Sequence, residues 1–207
     1  MSDALKSKEL LRRYSIARIP FVAINTIERG RALSILKEIS DDLNLPFYVH
    51  TLSRGLYDLV TDKSINSDKS VYGAIDFMSE QMKRKQNMTL ILTVPPDISN
   101  DTPDFQQVSD LVTLAESGGV VIVLTNNPVW NQLQRMGMVV KIDLPNEEEM
   151  YSIIKKYIDD YRSEIPIEWD ESDIREAASA LAGVTRIEAE NVIASLIANR
   201  AIRKSDM

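Results

Sequence analysis

Two short, almost continuous apolar runs restrict the folds open to this chain more than any other feature. They are residues 88–94 (MTLILTV) and residues 120–125 (VVIVLT). A strand with one face in water alternates apolar and polar residues, whereas a strand covered on both faces need not alternate. The two runs therefore predict central strands of a sheet that has helices on both sides. Such two-sided cover is typical of the parallel sheets of α/β proteins.

Weaker patterns complete this α/β interpretation. Strands are predicted at residues 21–25, 46–51 and 138–144, which with the two apolar runs gives five strands joined by helical segments. Strands that alternate with helices favour a parallel sheet with right-handed crossovers. The polar stretch 52–69 is predicted to be a loop that has room for one turn of helix.

The last third of the chain is predicted to be helical only. Pro145 closes the sheet region, and no strand pattern follows it. Thr185 and Glu188 have the spacing of a capping box before a last helix that runs nearly to the end of the chain. We therefore expect an α/β domain at residues 1–145 and a helical subdomain at residues 146–207.

A very short turn joins the first strand to the helix that follows it. Only Asn25 and Thr26 separate the two patterns; Thr26 is predicted to cap the helix, with Glu28 in its first turn. A phosphate-binding loop needs the pattern G-x-x-x-x-G-K-[ST], in which successive backbone N–H groups wrap the phosphates. The G-K-[ST] part of that pattern occurs nowhere in the sequence. Two residues leave no room for such a loop.

The end of the 88–94 run also lacks the acidic residues that metal-assisted hydrolysis needs. In enzymes that hydrolyse nucleotides, carboxylates near this position hold Mg²⁺ and orient water. Here Val94 and Pro95 offer no oxygen ligand, and Asp97 follows a second proline and is predicted to be a turn residue. We therefore predict no catalytic residue, no metal and no cofactor in this segment.

The composition excludes several other functions. The absence of cysteine excludes a disulfide framework, thiolate zinc sites and a cysteine nucleophile, and it fits a cytoplasmic protein. No apolar run approaches the roughly 20 residues of a membrane span, so no membrane partner is expected. The net charge of −7 argues against broad nucleic-acid binding. The single histidine, His50, has no nucleophile or second histidine pattern around it, which argues against catalysis and metal binding.

Charge is unevenly distributed along the chain. Residues 1–20 hold five bases and two acids, whereas residues 141–190 hold fourteen acids and six bases. Solvated helix faces are the ordinary explanation of such runs, and complementary contact between subunits is the alternative. Arg12 and Arg13 are the candidates for such a contact.

Five strands followed by a small helical subdomain resemble the layout of AAA+ ATPases. Residues 120–127 (VVIVLTNN) resemble the strand that ends in a polar sensor residue, and residues 138–149 (MVVKIDLPNEEE) resemble the strand and turn that lead into the helical lid. More narrowly, residues 21–36 and 183–194 are similar to the degenerate N-terminal ATPase-like domain of a chloroplast- and cyanobacteria-type AAA ATPase family. The resemblance implies a P-loop NTPase-like parallel sheet of strand order 5-1-4-3-2 with a C-terminal all-helical lid.

The resemblance also directs attention to individual residues. Asn126 or Asn127 occupies the sensor-like position, although a turn cap before a proline is the competing interpretation. Arg186 falls at the lid helix, where active relatives can carry a sensor arginine, and Arg135 lies near where such folds present an arginine to a neighbouring subunit. The candidates for nucleotide contact are Arg29, Arg31, Asn126 and Arg186, and those for subunit contact are Arg12, Arg13 and Arg135.

These observations favour a non-catalytic AAA+-like domain that works by contact. We expect it to help assemble or regulate a hexameric AAA+ ring, as the N-terminal part of a longer chain whose downstream domain binds ATP and Mg²⁺. Its partners would be other subunits of the ring or an active AAA+ domain. Two alternatives stay open: an ATPase with an unorthodox site at Arg29, Arg31 and Asn126, and a standalone adaptor that docks on an active ATPase.

Overall fold

A computed structural model describes residues 3–84 and 87–206, which form two compact units. The larger one, here called the α/β unit, comprises Lys6–Ile142. The smaller one, the helical unit, comprises the described residues from Asp143 onward together with those that precede Lys6. None of the described helices combines the length and the hydropathy that crossing a bilayer requires.

The α/β unit alternates strands and helices. Its elements are α1 (Asp3–Ala17, which begins in the other unit), β1 (Phe21–Asn25), α2 (Arg29–Leu43), β2 (Phe47–Thr51), β3 (Gly55–Asp58), β4 (Ser64–Asn66), α3 (Val71–Met82), β5 (Thr89–Leu92), α4 (Pro103–Ala115), β6 (Val120–Thr125), α5 (Asn131–Arg135) and β7 (Gly137–Lys141). The helical unit contains α6 (Glu147–Tyr161), α7 (Glu171–Ala180), α8 (Arg186–Ala198) and a 3₁₀ turn at Lys204–Asp206.

Within residues 3–84 and 87–206 the sheet has seven strands in the order β4-β3-β2-β5-β6-β1-β7, so the expectation of five strands was wrong. The five predicted strands are β2, β5, β6, β1 and β7; they are mutually parallel and lie in the expected order. Phe21 of β1 is in register with Val121 on one side and with Gly137 on the other. The two additional strands, β3 and β4, pair antiparallel at one edge.

The two extra strands lie in the stretch predicted to be a loop. Leu56 and Tyr57 of β3 are buried, but β4 is exposed, and the connection between the strands is polar. Its turn is built by Asp58, whose carboxylate accepts hydrogen bonds from the N–H groups of Val60 and Thr61. An edge hairpin of this kind needs few apolar residues, and its sequence therefore resembles that of a loop.

Helices cover both faces of the sheet, as the apolar runs predict. On one face Leu11 of α1 and Leu36 of α2 pack with Ile24 and Ile122 of the central strands. On the other face the cluster is contributed by α3, α4 and α5. The core of the α/β unit is therefore two apolar layers separated by a buried sheet.

In the helical unit α7 and α8 both pack on α6. The last helix ends at Ala198 instead of running nearly to the end of the chain. The segment after it returns to the α6–α7 connection, where the N–H of Ile202 donates to the carbonyl of Pro166 at 3.0 Å. The indole N–H of Trp169 donates to the carbonyl of Arg203 at 2.9 Å, which fixes this buried ring in the core of the unit. These contacts close the small core on one side.

Candidate functional site

A cleft of about 490 Å³ lies within the α/β unit at the carboxyl ends of three parallel strands. Its walls are the first turn of α2, the loop after β5 at residues 94–99, and the end of β6 with its following loop at residues 124–128. Open α/β sheets bind their ligands outside the carboxyl ends of their strands, so this is the position where a ligand site is expected. It brings together two of the predicted site residues, Arg29 and Asn126.

The connection from β1 to α2 is three residues long, 26–28, one more than the sequence indicated. Thr26 is buried, and its hydroxyl oxygen accepts the N–H of Glu28 at 3.0 Å. Thr26 therefore shapes the turn. The prediction that it caps the helix was wrong. Glu28 is the N-cap residue instead, although its side chain makes no capping hydrogen bond.

Glu28 places a carboxylate at the start of α2, where a nucleotide-binding domain needs room for phosphate. Its side chain is only 7% exposed, and one carboxylate oxygen lies 3.0 Å from the guanidinium of Arg31, which is 13% exposed. A negative charge at this end of the helix interacts favourably with the helix dipole. Arg31 is not among the residues that line the cleft, whereas Arg29 is. The two arginines therefore do not contribute to the same site.

Arg29 is exposed and borders the cleft from the first turn of α2. Its guanidinium makes no hydrogen bond or ion pair to the described part of the chain. Gly30, the next residue, has no atom within 4 Å of the place where a Cβ would stand. The backbone around Gly30 is therefore not pressed against another group, unlike a glycine that lets a chain approach phosphate closely.

The loop after β5 supplies the cleft with Val94, two prolines and Asp97. The carboxylate of Asp97 accepts hydrogen bonds from the N–H of Ser99 at 2.9 Å and from its hydroxyl at 2.6 Å. These two hydrogen bonds hold the pKa of the Asp97 carboxyl below its usual value. Asp97 is thus a turn residue, as its sequence context indicates, and it is the one carboxylate among the described residues that line the cleft.

The loop after β6 carries the sensor-like asparagines, and both line the cleft. The N–H of Asn127 donates to the hydroxyl of Thr125 at 2.9 Å, which forms a tight turn, while Asn126 is exposed. The N–H of Trp130 donates to the carbonyl of Ile98 at 2.8 Å and so ties this loop to the loop after β5. This link between the two walls of the cleft has no local signal in the sequence.

Comparison with protein-family models identifies the family. Residues 7–142 match the model described as the N-terminal domain of SpoVK-like AAA ATPases, and residues 148–207 match the model described as the second domain of SpoVK-like AAA ATPases. The chain belongs to the SpoVK-like AAA ATPase family. The general resemblance to AAA ATPases is thereby confirmed. A comparison with curated proteins gives no match.

Several solved structures share the fold of this SpoVK-like chain at low sequence identity. Domain III of the Thermotoga maritima replication initiation protein DnaA matches with a TM-score of 0.56 and 14% identity over 97% of this chain and 89% of that chain. A chain of the E. coli MS115-1 HORMA:CdnC:Trip13 complex matches with a TM-score of 0.55 and 11% identity over 86% and 67%. The FIGL-1 AAA domain in complex with ADP matches with a TM-score of 0.58 and 10% identity over 84% and 58%.

The other predicted residues of this SpoVK-like chain are not among those that line the cleft. Arg186 is the first residue of α8 in the helical unit, and its guanidinium lies 2.6 Å from the carboxylate of Glu190. Arg135 ends α5 and is exposed. Arg12 and Arg13 lie on α1, where Arg13 is exposed and 3.8 Å from Glu9. Their roles in nucleotide or subunit contact stay predictions.

His50 is a buried group for which the sequence gave no structural role. It lies on β2, it is fully buried, and its Nε2 is 3.1 Å from the carbonyl oxygen of Lys69. The Nδ1 atom is buried without a hydrogen-bond partner in the described structure. Burial lowers the pKa of the His50 imidazole, since the charged form would lose its hydration. Within the described residues, no group of three or more acidic or histidine side chains converges to hold a metal ion.

Proposed function

We propose that this chain is a degenerate, non-catalytic AAA+-like module that assembles or regulates an AAA+ ring through its surfaces. One observation carries the proposal: three residues, 26–28, join β1 to α2, and the last of them brings its own carboxylate to the start of the helix. The narrower similarity to the chloroplast- and cyanobacteria-type family is part of this proposal.

The length of that connection argues against a bound triphosphate. A phosphate-binding loop uses successive backbone N–H groups of several residues, together with a lysine, to surround the β- and γ-phosphates. Here two of the three N–H groups are already bonded: that of Thr26 donates to the carbonyl of Thr125, and that of Glu28 donates to the hydroxyl of Thr26. The carboxylate of Glu28 also adds a negative charge where phosphate would add more, and like charges repel strongly at a site with limited solvent.

The family descriptions support a place for this module in a larger ATPase. They name an N-terminal and a second domain of an AAA ATPase, and together they account for residues 7–142 and 148–207. We propose that ATP and Mg²⁺ bind in a further domain of the full-length protein, in the cytoplasm. The helical unit would act as the lid, and Arg12, Arg13 and Arg135 would contact neighbouring subunits.

Calorimetry and light scattering test the two halves of the proposal. Titration of the chain with ATP in the presence of Mg²⁺ is expected to give no saturable heat at micromolar to millimolar nucleotide, whereas light scattering is expected to give a mass above that of the monomer. Micromolar binding of MgATP would contradict the proposal that this chain is non-catalytic and holds no nucleotide. The Arg12→Glu, Arg13→Glu double variant is expected to lower the assembled mass, and Lys37→Glu, on an exposed position of α2, is the matched control.

The second candidate function is nucleotide binding in the cleft by an unorthodox site. The observation that favours it is that Arg29 and Asn126 share a cleft of about 490 Å³, a volume in the range of small-molecule sites. In this case Arg29→Ala and Asn126→Ala would each abolish the heat of nucleotide binding. Arg135→Ala, an arginine that does not line the cleft, would leave it unchanged.

A further inference from the structure

The last helix of the helical unit carries apolar residues on more than one side. Ala189 and Ile193 are buried against the rest of the unit, as one side of a surface helix normally is. Val192, however, is 44% exposed, and Leu196, one turn further, is only partly buried. Because Val192 and Leu196 are four residues apart, they form a second apolar stripe along α8. The helical unit leaves this stripe partly uncovered.

The second stripe faces a groove between α7 and α8. The groove has a cavity of about 230 Å³, enough for one or two aliphatic side chains. Its walls include Trp169, Glu176, Ala177, Ala180, Val192 and Leu196. The two alanines on α7 keep the groove open, because a larger side chain at either position would fill it.

The charge around the groove defines the chemistry of its occupant. Glu176 is the one charged residue among the described residues that line it, and its carboxylate makes no ion pair in the described part of the chain. Residues 143–207 as a whole hold fifteen acids and eight bases. The groove therefore favours a partner that presents an apolar side chain beside a basic one.

Helix α1 carries that combination on one side. Ile16 is 54% exposed, and Arg12, which is half-buried, lies four residues before it, so both occupy the same side of the helix. Arg12 belongs to the segment 1–20, which holds five bases and two acids. The exposed side of α1 and the groove of the helical unit are thus complementary in hydropathy and in charge.

We propose that α1 of one copy docks in the α7–α8 groove of a second copy, with Ile16 in the cavity and Arg12 beside Glu176. This inference rests on the proposed assembly function and names the two surfaces that carry it. The contact joins different surfaces of the two copies, so each copy offers one surface to the copy before it and one to the copy after it. Heterologous contacts of this kind build rings when the rotation closes.

Two variants that each block one surface test the proposal. Ala180→Arg fills the groove from an exposed position of α7, and Ile16→Glu removes the apolar side chain of α1. By light scattering, each variant alone is expected to be monomeric at concentrations where the unmodified chain assembles. An equimolar mixture of the two is expected to give dimers and nothing larger, since one functional surface remains on each partner.

Matched controls separate this contact from loss of folding. Ser179→Arg adds the same charge one residue away on an exposed position outside the groove, and it is expected to assemble normally. Val192→Ser, a milder change at a half-exposed site, is expected to weaken association by about tenfold. The Arg12→Glu variant is expected to assemble less than the unmodified chain. Adding Glu176→Arg to the same chain is expected to restore its assembly.

The outcomes distinguish this inference from the proposed function. If the unmodified chain is a monomer at all accessible concentrations, both fail. If it assembles and the Ala180→Arg and Val192→Ser variants assemble equally well, the assembly function stands and the α1–groove contact is wrong. If the mixture of the two blocked variants stays monomeric, the heterologous pairing is wrong.

Discussion

The α/β unit and the helical unit differ in how completely their apolar cores are covered and in their balance of charge. In the α/β unit helices cover both faces of the central strands, and residues 1–142 balance sixteen acids with sixteen bases. The helical unit has a smaller core and leaves an apolar groove open, and residues 143–207 account for the whole net charge of −7. An open apolar groove in a unit of unbalanced charge favours a partner that covers the groove and offsets the charge.

Each unit contains one of the two tryptophans, so the comparison can be followed by fluorescence. Trp130 packs edge-to-face on Phe105 in the α/β unit, with ring centroids 4.6 Å apart. Trp169 is buried in the helical unit. Variants that keep one tryptophan and carry phenylalanine at the other position will report the unfolding of each unit separately.

The largest expected effect comes from removing a side chain from the centre of the sheet. Leu90 on β5 is fully buried, and Leu90→Ala is expected to lower the free energy of unfolding of the α/β unit by about 3–5 kcal/mol, because it leaves a cavity. Urea unfolding followed by Trp130 measures it. Ile154→Ala, at a fully buried site of α6, is the counterpart followed by Trp169. If either variant shifts both transitions equally, the two units unfold as one.

Between pH 7 and pH 5 a pH dependence of stability is expected chiefly in the α/β unit, which contains His50. The pKa of His50 is lowered in the folded state, so the unfolded chain takes up a proton near pH 6.5 that the folded chain resists. Stability is therefore complete above about pH 6.5 and falls as the pH is lowered, by at most about 1.4 kcal/mol per pH unit for one proton. Urea midpoints between pH 7 and pH 5 measure this slope with Trp130. His50→Gln should abolish it, and a slope that persists in this variant would assign the effect to other groups.

A smaller effect is expected from the capping box of α8 in the helical unit. The hydroxyl of Thr185 accepts the N–H of Glu188 at 3.2 Å, and the carboxylate of Glu188 accepts the N–H of Thr185 at 2.8 Å. Thr185→Ala should destabilise the helical unit by about 1 kcal/mol. The Trp169 transition should shift while the Trp130 transition should not. Ser195→Ala, an exposed site later in the same helix, serves as the control.

The smallest expected effect is a gain in stability at the start of α2. Gly30 is in the first turn of the helix with open space around it, so Gly30→Ala should stabilise the α/β unit by about 0.5–1 kcal/mol. A loss of stability would show that the backbone here needs glycine. Gly137→Ala on β7 is expected to have the opposite effect. A Cβ at this position would collide with the carbonyl oxygen of Phe21, so the variant is expected to weaken the pairing of β7 with β1 and to lower stability.

Regular, strongly apolar elements could be predicted from the sequence, whereas short polar elements could not. The runs that became β5 and β6 define two-sided strands without reference to the rest of the fold. The edge hairpin β3–β4 was missed, because a few buried residues such as Leu56 suffice to attach it once β2 is in place. Thr26 was assigned to the wrong turn, since a hydroxyl can accept either a capping N–H or a nearer one, and only the path of the chain selects between them.

The sequence by itself determined the α/β class, the helices on both sides of the sheet, and the absence of a phosphate-binding motif, because each depends on local residue pattern. Only the tertiary structure decided that Arg29 and Asn126 meet in one cleft while Arg31 turns to Glu28. It also decided that α7 and α8 leave a groove open, with Glu176 at its wall. These features depend on distances between segments that are far apart in the chain, and those distances are set by strand order and helix packing rather than by local sequence.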